Sequence, residues 1–191
     1  MNSIFRALVS VPHGYLKLLI SKLFHPSKVK FGSMPRIDHS TEISFQGSVL
    51  IGKRLNMRKY SILRCRKNAF LKIGNNVSFG PNNMVVCLES ISIGDGCEFG
   101  PGVLVFDHDH DFKTKDGLKP DLYKKSPIKI GKNVWIGANS IILRGTTIGD
   151  NCVVAAGSVL NGGEYPSDTL IVQKKMSTIK YYKNMVDNAR D

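Results

Sequence analysis

Acidic residues are missing from the front of this chain. No Asp or Glu precedes Asp38, a span that holds six Lys or Arg, and none falls between Glu42 and Glu89, where eight more lie. The formal charge is +12 over 191 residues. Such a balance favours an anionic partner: a lipid surface, a nucleic acid or a phosphate-bearing substrate. Its bland counterpart is a solvated basic face. Aromatics make up 8% of the residues and no nucleic-acid motif occurs, which removes nucleic acid from the partners. The four cysteines, Cys65, Cys87, Cys97 and Cys152, form no CxxC pair, so they read as reduced structural thiols of a cytoplasmic protein. No apolar run is long and uncharged enough to span a bilayer. The N-terminus offers no small-residue cleavage site of a secretory signal.

What is present is a short repeat. From Ile130 to Leu160, large aliphatic residues recur every six positions: Ile130, Ile136, Ile142, Ile148, Val154, Leu160. Four places after each of the first five sits a smaller residue: Val134, Ser140, Thr146, Cys152, Ser158. Six is neither the 3.6 of a helix nor the simple 2 of an amphipathic strand. A fixed short repeat implies stacked turns, here three short strands per coil, with both residue sets pointing inward. Gly, Asn and Asp between them supply corners that need positive φ.

This stretch resembles the hexapeptide-repeat acyltransferases. The resemblance implies an all-β solenoid, a left-handed parallel β-helix. Its hand comes from the resemblance alone, because the general rule for parallel crossovers gives the opposite one. Ile-Gly pairs at Ile51, Ile73, Ile93, Ile130 and Ile148 mark successive coils at intervals of 22, 20, 37 and 18. The interval of 37 contains one coil of 18 and 19 looped-out residues. The expected organisation is an N-terminal helical cap over 1–30, a repeat domain over 31–163 with a loop inserted at about 107–128, and a tail over 164–191 with a short C-terminal helix at 177–190. In the first segment, Leu16, Leu19, Ile20 and Leu23 make one apolar face, and Pro12 and Gly14 are expected to break an earlier turn from it. That face either caps the open end of the solenoid or dips into an anionic membrane surface.

The inserted loop opens with Phe106-Asp107-His108-Asp109-His110. A long loop on a rigid repeat is where function concentrates. It resembles the active-site loop of sugar and xenobiotic acetyltransferases, in which Thr-His-Pro or Asn-His follows the same kind of coil. By that resemblance His108 takes the place of the general base, with His110 as the alternative because Asp109 replaces the proline. Histidine suits the task, since its unperturbed pKa is about 6.5. Asp107 or Glu89 would fix its tautomer. The rival use of His-x-His, zinc ligation, lacks the histidine spacing of the metal-holding β-helix proteins, so no metal is expected.

Gly137/Ala155, Ala138/Ala156 and Asn139/Gly157 are each 18 apart and should stack on one corner. In the resembling family this small-residue track holds the pantetheine arm of acetyl-CoA, which assigns Gly137, Ala138, Ala155, Ala156 and Gly157 to the cofactor, with Trp135 beside them. Lys174 and Lys175 are candidates for its phosphates. Asn82 and Asn83, one coil before the loop, are candidates for the acceptor, or else corner asparagines, and Glu89 is a further candidate for binding it. Trp135/Val153 and Ile141/Val159 form outward apolar columns that a homotrimer would cover. The implied activity is acetyl transfer to a saccharide hydroxyl in cell-surface polysaccharide biosynthesis, with a lipid-linked precursor among the acceptors, by a cytoplasmic enzyme that can lie on the inner face of the membrane. N-acetylation of an amino sugar, and a non-catalytic basic solenoid binding an anionic polymer, are the alternatives.

Overall fold

The structure, a computed structural model, describes residues 3–111 and 119–173. Helix α1 (Ser3–Phe24) is followed by a three-sided parallel β-solenoid. Its second face is a seven-stranded sheet, from Arg36–Ile37 to Leu170–Ile171, which sets the number of coils. The first and third faces belong to one eleven-stranded sheet, because the strand Ile141–Ile148 bends through Gly145 and pairs on both. Leu104–Phe106 and Met84–Cys87 lie on the third face, Ser90–Ile93 and Ile128–Ile130 on the first.

The six-residue pattern translates directly into register. Ile51, Ile73, Ile93, Ile130 and Ile148 are ladder partners in succession. Each is at most 3% exposed. The smaller residues Val134, Ser140, Thr146, Cys152 and Ser158 are buried with them. Each fully buried aliphatic contributes about 1.5–3 kcal/mol, so an uninterrupted column supplies most of the driving force. All four cysteines are free and buried. Burial pushes the Cys97 thiol up to about 11. The hydrogen bond that the Cys87 thiol donates to its ladder neighbour Cys65, together with burial and the nearby Asp107, raises Cys87 further.

Every irregular interval is taken up at one corner, the third, which joins the third face back to the first. Between core positions the chain runs from Leu63 to Leu71 in one coil, Val85 to Ile91 in the next, Val105 to Ile128 in the one carrying the long loop, and Ile142 to Thr146 after it. The ladder also continues past the Gly162-Gly163 pair. Val159–Tyr165 pairs with Ile141–Ile148, and Leu170–Ile171 pairs with Val153–Val154, so one more coil forms than the repeat pattern marks.

Two expectations for the N-terminus are corrected. Helix α1 runs through Pro12 without a break. Pro12 is exposed, and the carbonyl it leaves unbonded belongs to Leu8, itself exposed, so the missing bond is open to water. Gly14 does not break the helix either; it lets α1 approach the backbone at Pro35, where a Cβ would meet the carbonyl oxygen at 2.6 Å. The helix packs on strands of all three faces of the first coil, but through Gly14 and fully buried Leu18 rather than through the predicted apolar face. Lys17 fixes it further, its ammonium donating to the carbonyl oxygens of His39 and Thr41. The expected C-terminal helix lies outside the described residues.

Candidate active site

Asp107 ends the third face where the long loop departs. Its carboxylate is fully buried, and three donors converge on it. The Leu88 N–H donates to Oδ1 and the Glu89 N–H to Oδ2, both at 2.8 Å, from the corner of the preceding coil. His108 Nδ1 donates to Oδ1 at 3.0 Å. Burial alone would raise the Asp107 pKa, but the hydrogen bonds from His108, Leu88 and Glu89 outweigh it and hold the carboxyl below the usual range. An ionised Asp107 therefore keeps a proton on His108 Nδ1, so that in the neutral ring the lone pair lies on Nε2. The corner makes this possible, because the preceding coil turns through only Leu88 and Glu89 and points two backbone N–H groups at the site.

The loop then forms an antiparallel pair, His108–His110 with Tyr123–Lys125. His108 is held edge-on between Phe106 and Tyr123, at ring-centroid distances of 6.0 and 5.5 Å. It lines an open cleft of about 430 Å³ along the third corner, together with Gln46, Arg66, Lys67, Leu88, Tyr123 and Lys125. His110 is exposed and lies on the Tyr123 ring at 4.6 Å. The carboxylates beside it are engaged elsewhere: Asp109 accepts from Arg144 at 2.6 Å and Asp111 pairs with Lys124. The two histidines thus differ sharply in geometry. Glu89 contributes its backbone N–H; the carboxylate that orients the histidine is Asp107.

The asparagines are not at this corner. Asn83 is 2% exposed, and its amide is spent within the fold: Nδ2 donates to the Gly80 carbonyl at 3.1 Å and Oδ1 accepts the Val103 N–H at 2.6 Å. Its assignment to the acceptor is therefore corrected. Asn82 is exposed and turns the second corner at φ 59°. Arg66, Lys67 and Lys125 line the cleft without any motif in the sequence to mark them; the lengthened Leu63-to-Leu71 interval inside the acid-free run is the available signal.

The small-residue track forms as a stack on the second corner. The register places Gly137 over Ala155 and Ala138 over Ala156, with Asn139 and Gly157 both at positive φ. A Cβ on Gly137 would come 2.5 Å from the Ala156 nitrogen, so glycine is required for the coils to close. Trp135 is 54% exposed on the second face above Val153. Within one chain, the track and Trp135 are thus separated from His108 by the whole third face. Lys174 and Lys175 lie outside the described residues. Among the described residues, no group of three or more His, Cys, Asp or Glu is arranged to hold a metal.

A family model described as the hexapeptide repeat of succinyl-transferase matches residues 71–106 and 127–161, the coils on either side of the loop. A probable acetyltransferase of Mycobacterium tuberculosis is 30% identical over 152 residues, covering 78% of this chain and 50% of that protein. A putative lipopolysaccharide biosynthesis O-acetyl transferase of Escherichia coli is 33% identical over 118 residues, covering 58% of this chain and 60% of that one. The chain thus spans about half to three-fifths of these curated relatives. In three dimensions it is similar to an N-acyltransferase of Bacillus cereus solved with dTDP and coenzyme A, at a TM-score of 0.64 over 88% of this chain and 93% of that one; at 19% identity this establishes the fold. The protein is a left-handed parallel β-helix. It belongs to the hexapeptide-repeat acyltransferase family.

Proposed function

We propose that this protein is an acetyl-CoA-dependent O-acetyltransferase acting on a saccharide hydroxyl. The observation that carries the reading is the Asp107–His108 pair, with Nδ1 tied to a buried carboxylate and the ring lining an open cleft. His108 Nε2 takes the proton from the acceptor hydroxyl as that oxygen attacks the thioester carbonyl. The C–S bond then breaks, and the imidazolium returns the proton to the departing CoA sulfur, so the products are an acetyl ester and CoA. Ionised Asp107 stabilises the imidazolium between these steps.

The separation of the track from His108 favours a cleft completed by a neighbour. In a homotrimer, the second corner of one protomer would meet the third corner of the next, bringing Gly137, Ala138, Ala155, Ala156, Gly157 and Trp135 to the thioester. Trp135 and Val159, 54% and 41% exposed, are the apolar surface such a ring would cover. Arg66, Lys67 and Lys125 suit an acceptor that carries a phosphate, such as a lipid-linked or nucleotide-linked sugar. The relatives named for O-acetyl transfer support the O-linked reading, and the need for acetyl-CoA supports a cytoplasmic reaction. The test is turnover of acetyl-CoA against a panel of saccharide acceptors, amino sugars included. CoA-dependent thermal stabilisation together with ester formation is the expected result. Acetylation of amines alone, or no response to CoA, would reject it.

A further inference from the structure

Helix α1 is amphipathic the wrong way round for a capping helix. It meets the solenoid through Gly14, Leu18, Lys17 and Tyr15, whose hydroxyl accepts the Met34 N–H, and turns its large aliphatic residues to solvent. Leu8, Leu16, Leu19, Ile20, Leu23 and Phe24 are between 48% and 78% exposed. At 100° per residue they occupy one half of the helix, opposite Gly14 and Leu18. Apolar patches of this extent mark interaction surfaces.

We propose that this face of α1 docks the protein on an anionic lipid bilayer. Three observations point to that occupant. The helix lies across strands of all three faces of the first coil, so its outer face looks along the solenoid axis, away from the coils, where a flat surface can reach it. The charge behind the face is overwhelmingly positive. Residues 1–88 hold fourteen Lys or Arg and two carboxylates, the whole +12 of the chain. Both carboxylates are engaged, Asp38 by Ser40 and His39, Glu42 by Arg64, while Lys28, Lys30 and Arg36 stand exposed around the helix. No described helix is long and apolar enough to cross a membrane, which leaves α1 lying in the interface. An apolar face combined with a basic patch is the pair of signals that reversible interfacial binding requires. A second copy docked on α1 would set two strongly basic ends against each other. The proposal is independent of acetyl transfer.

The test is flotation of the full chain with phosphatidylcholine vesicles, with and without phosphatidylglycerol. Binding should be on the order of tenfold stronger with the anionic lipid, given about 1 kcal/mol per basic residue near the surface, and should weaken as salt rises. Leu16→Gln/Leu19→Gln/Leu23→Gln changes only exposed positions. It should abolish flotation while its circular dichroism and unfolding midpoint stay within reach of the parent. Lys28→Gln/Lys30→Gln should reduce binding to anionic vesicles only. Failure of the parent to float with anionic vesicles overturns the proposal, as does undiminished flotation of the triple variant. A parent that elutes at twice the mass of the triple variant makes the face a contact between copies, and also overturns it.

Discussion

Gly14 of α1 rests against Pro35 of the first coil so closely that a methyl group on Gly14 would lie 2.6 Å from the Pro35 carbonyl oxygen. That contact is backbone against backbone, so neither side can yield by rotating a side chain. Gly14→Ala should therefore destabilise the protein although alanine is the better helix former, by about 1–3 kcal/mol as overpacking costs. Pro12→Ala, in the same helix but exposed, should raise the unfolding midpoint because the helix is continuous there. Thermal unfolding followed by circular dichroism decides both. A stabilised Gly14→Ala would mean the helix does not sit where it is described.

His108→Ala and His110→Ala should separate cleanly. Loss of the base at His108 should lower kcat/KM by about 10²–10⁴-fold. His110 has no buried carboxylate partner, and its loss should cost less than about tenfold. Steady-state acetyl transfer with an identified acceptor is the measurement, and equal effects would remove His108 from its role.

Asp107→Asn tests the buried carboxylate in two ways. The amide cannot hold the imidazolium, so kcat should fall even though the fold persists. The pH dependence of stability should change as well. The Asp107 pKa is lower folded than unfolded, so the ionised group contributes stability above the unfolded value of about 3.9, and that contribution is lost as pH falls through the folded pKa. The parent should lose stability progressively as the pH drops below about 4. Asp107→Asn should be less stable at neutral pH and lose less on acidification. Parallel stability–pH curves would contradict this.

Asn82 and Asn83 are neighbours with opposite expected behaviour. Asn83→Ala strips the buried Val103 N–H of its acceptor and should cost about 1–3 kcal/mol. Asn82→Gly keeps the positive φ and removes nothing buried, so it should be close to neutral. Denaturant midpoints report both, and the acetyl-transfer KM of Asn82→Gly tests its candidate contact with the acceptor.

Trp135→Glu addresses the neighbour-completed cleft. A charge on the exposed second face should split a trimer into monomers and abolish turnover while leaving the coil intact, because Trp135 points away from the core. Sedimentation gives the mass. Monomers with full activity would place the whole site within one chain.

The coils were legible because a period of six fixes which residues face inward, and no side chain in the span 130–160 breaks it. The helix was legible only in part, for a related reason. Its apolar periodicity named a face correctly, but periodicity cannot say what that face meets, and the contact was instead made by Gly14, a residue with no side chain to advertise it. The histidine was visible as a residue type on a loop. Its partner was not separable from Glu89, because the choice rests on two backbone N–H groups of Leu88 and Glu89 that carry no sequence identity. The cleft cations were hidden for want of register: Arg66, Lys67 and Lys125 lie far apart in the chain and meet only because corners stack.

Confining every length change to the third corner has a consequence for descent. A solenoid tolerates an insertion only where it leaves the stacking of its neighbours in phase, and here that place coincides with the loop bearing His108. New acceptor-recognising segments can thus be spliced in, lengthened or exchanged without re-engineering the scaffold. The second corner, where a single methyl at Gly137 would collide with the next coil, stays locked. On the proposed assignment of the two substrates, the molecule divides into an adaptable port for the acceptor and a sterically locked rail for the cofactor.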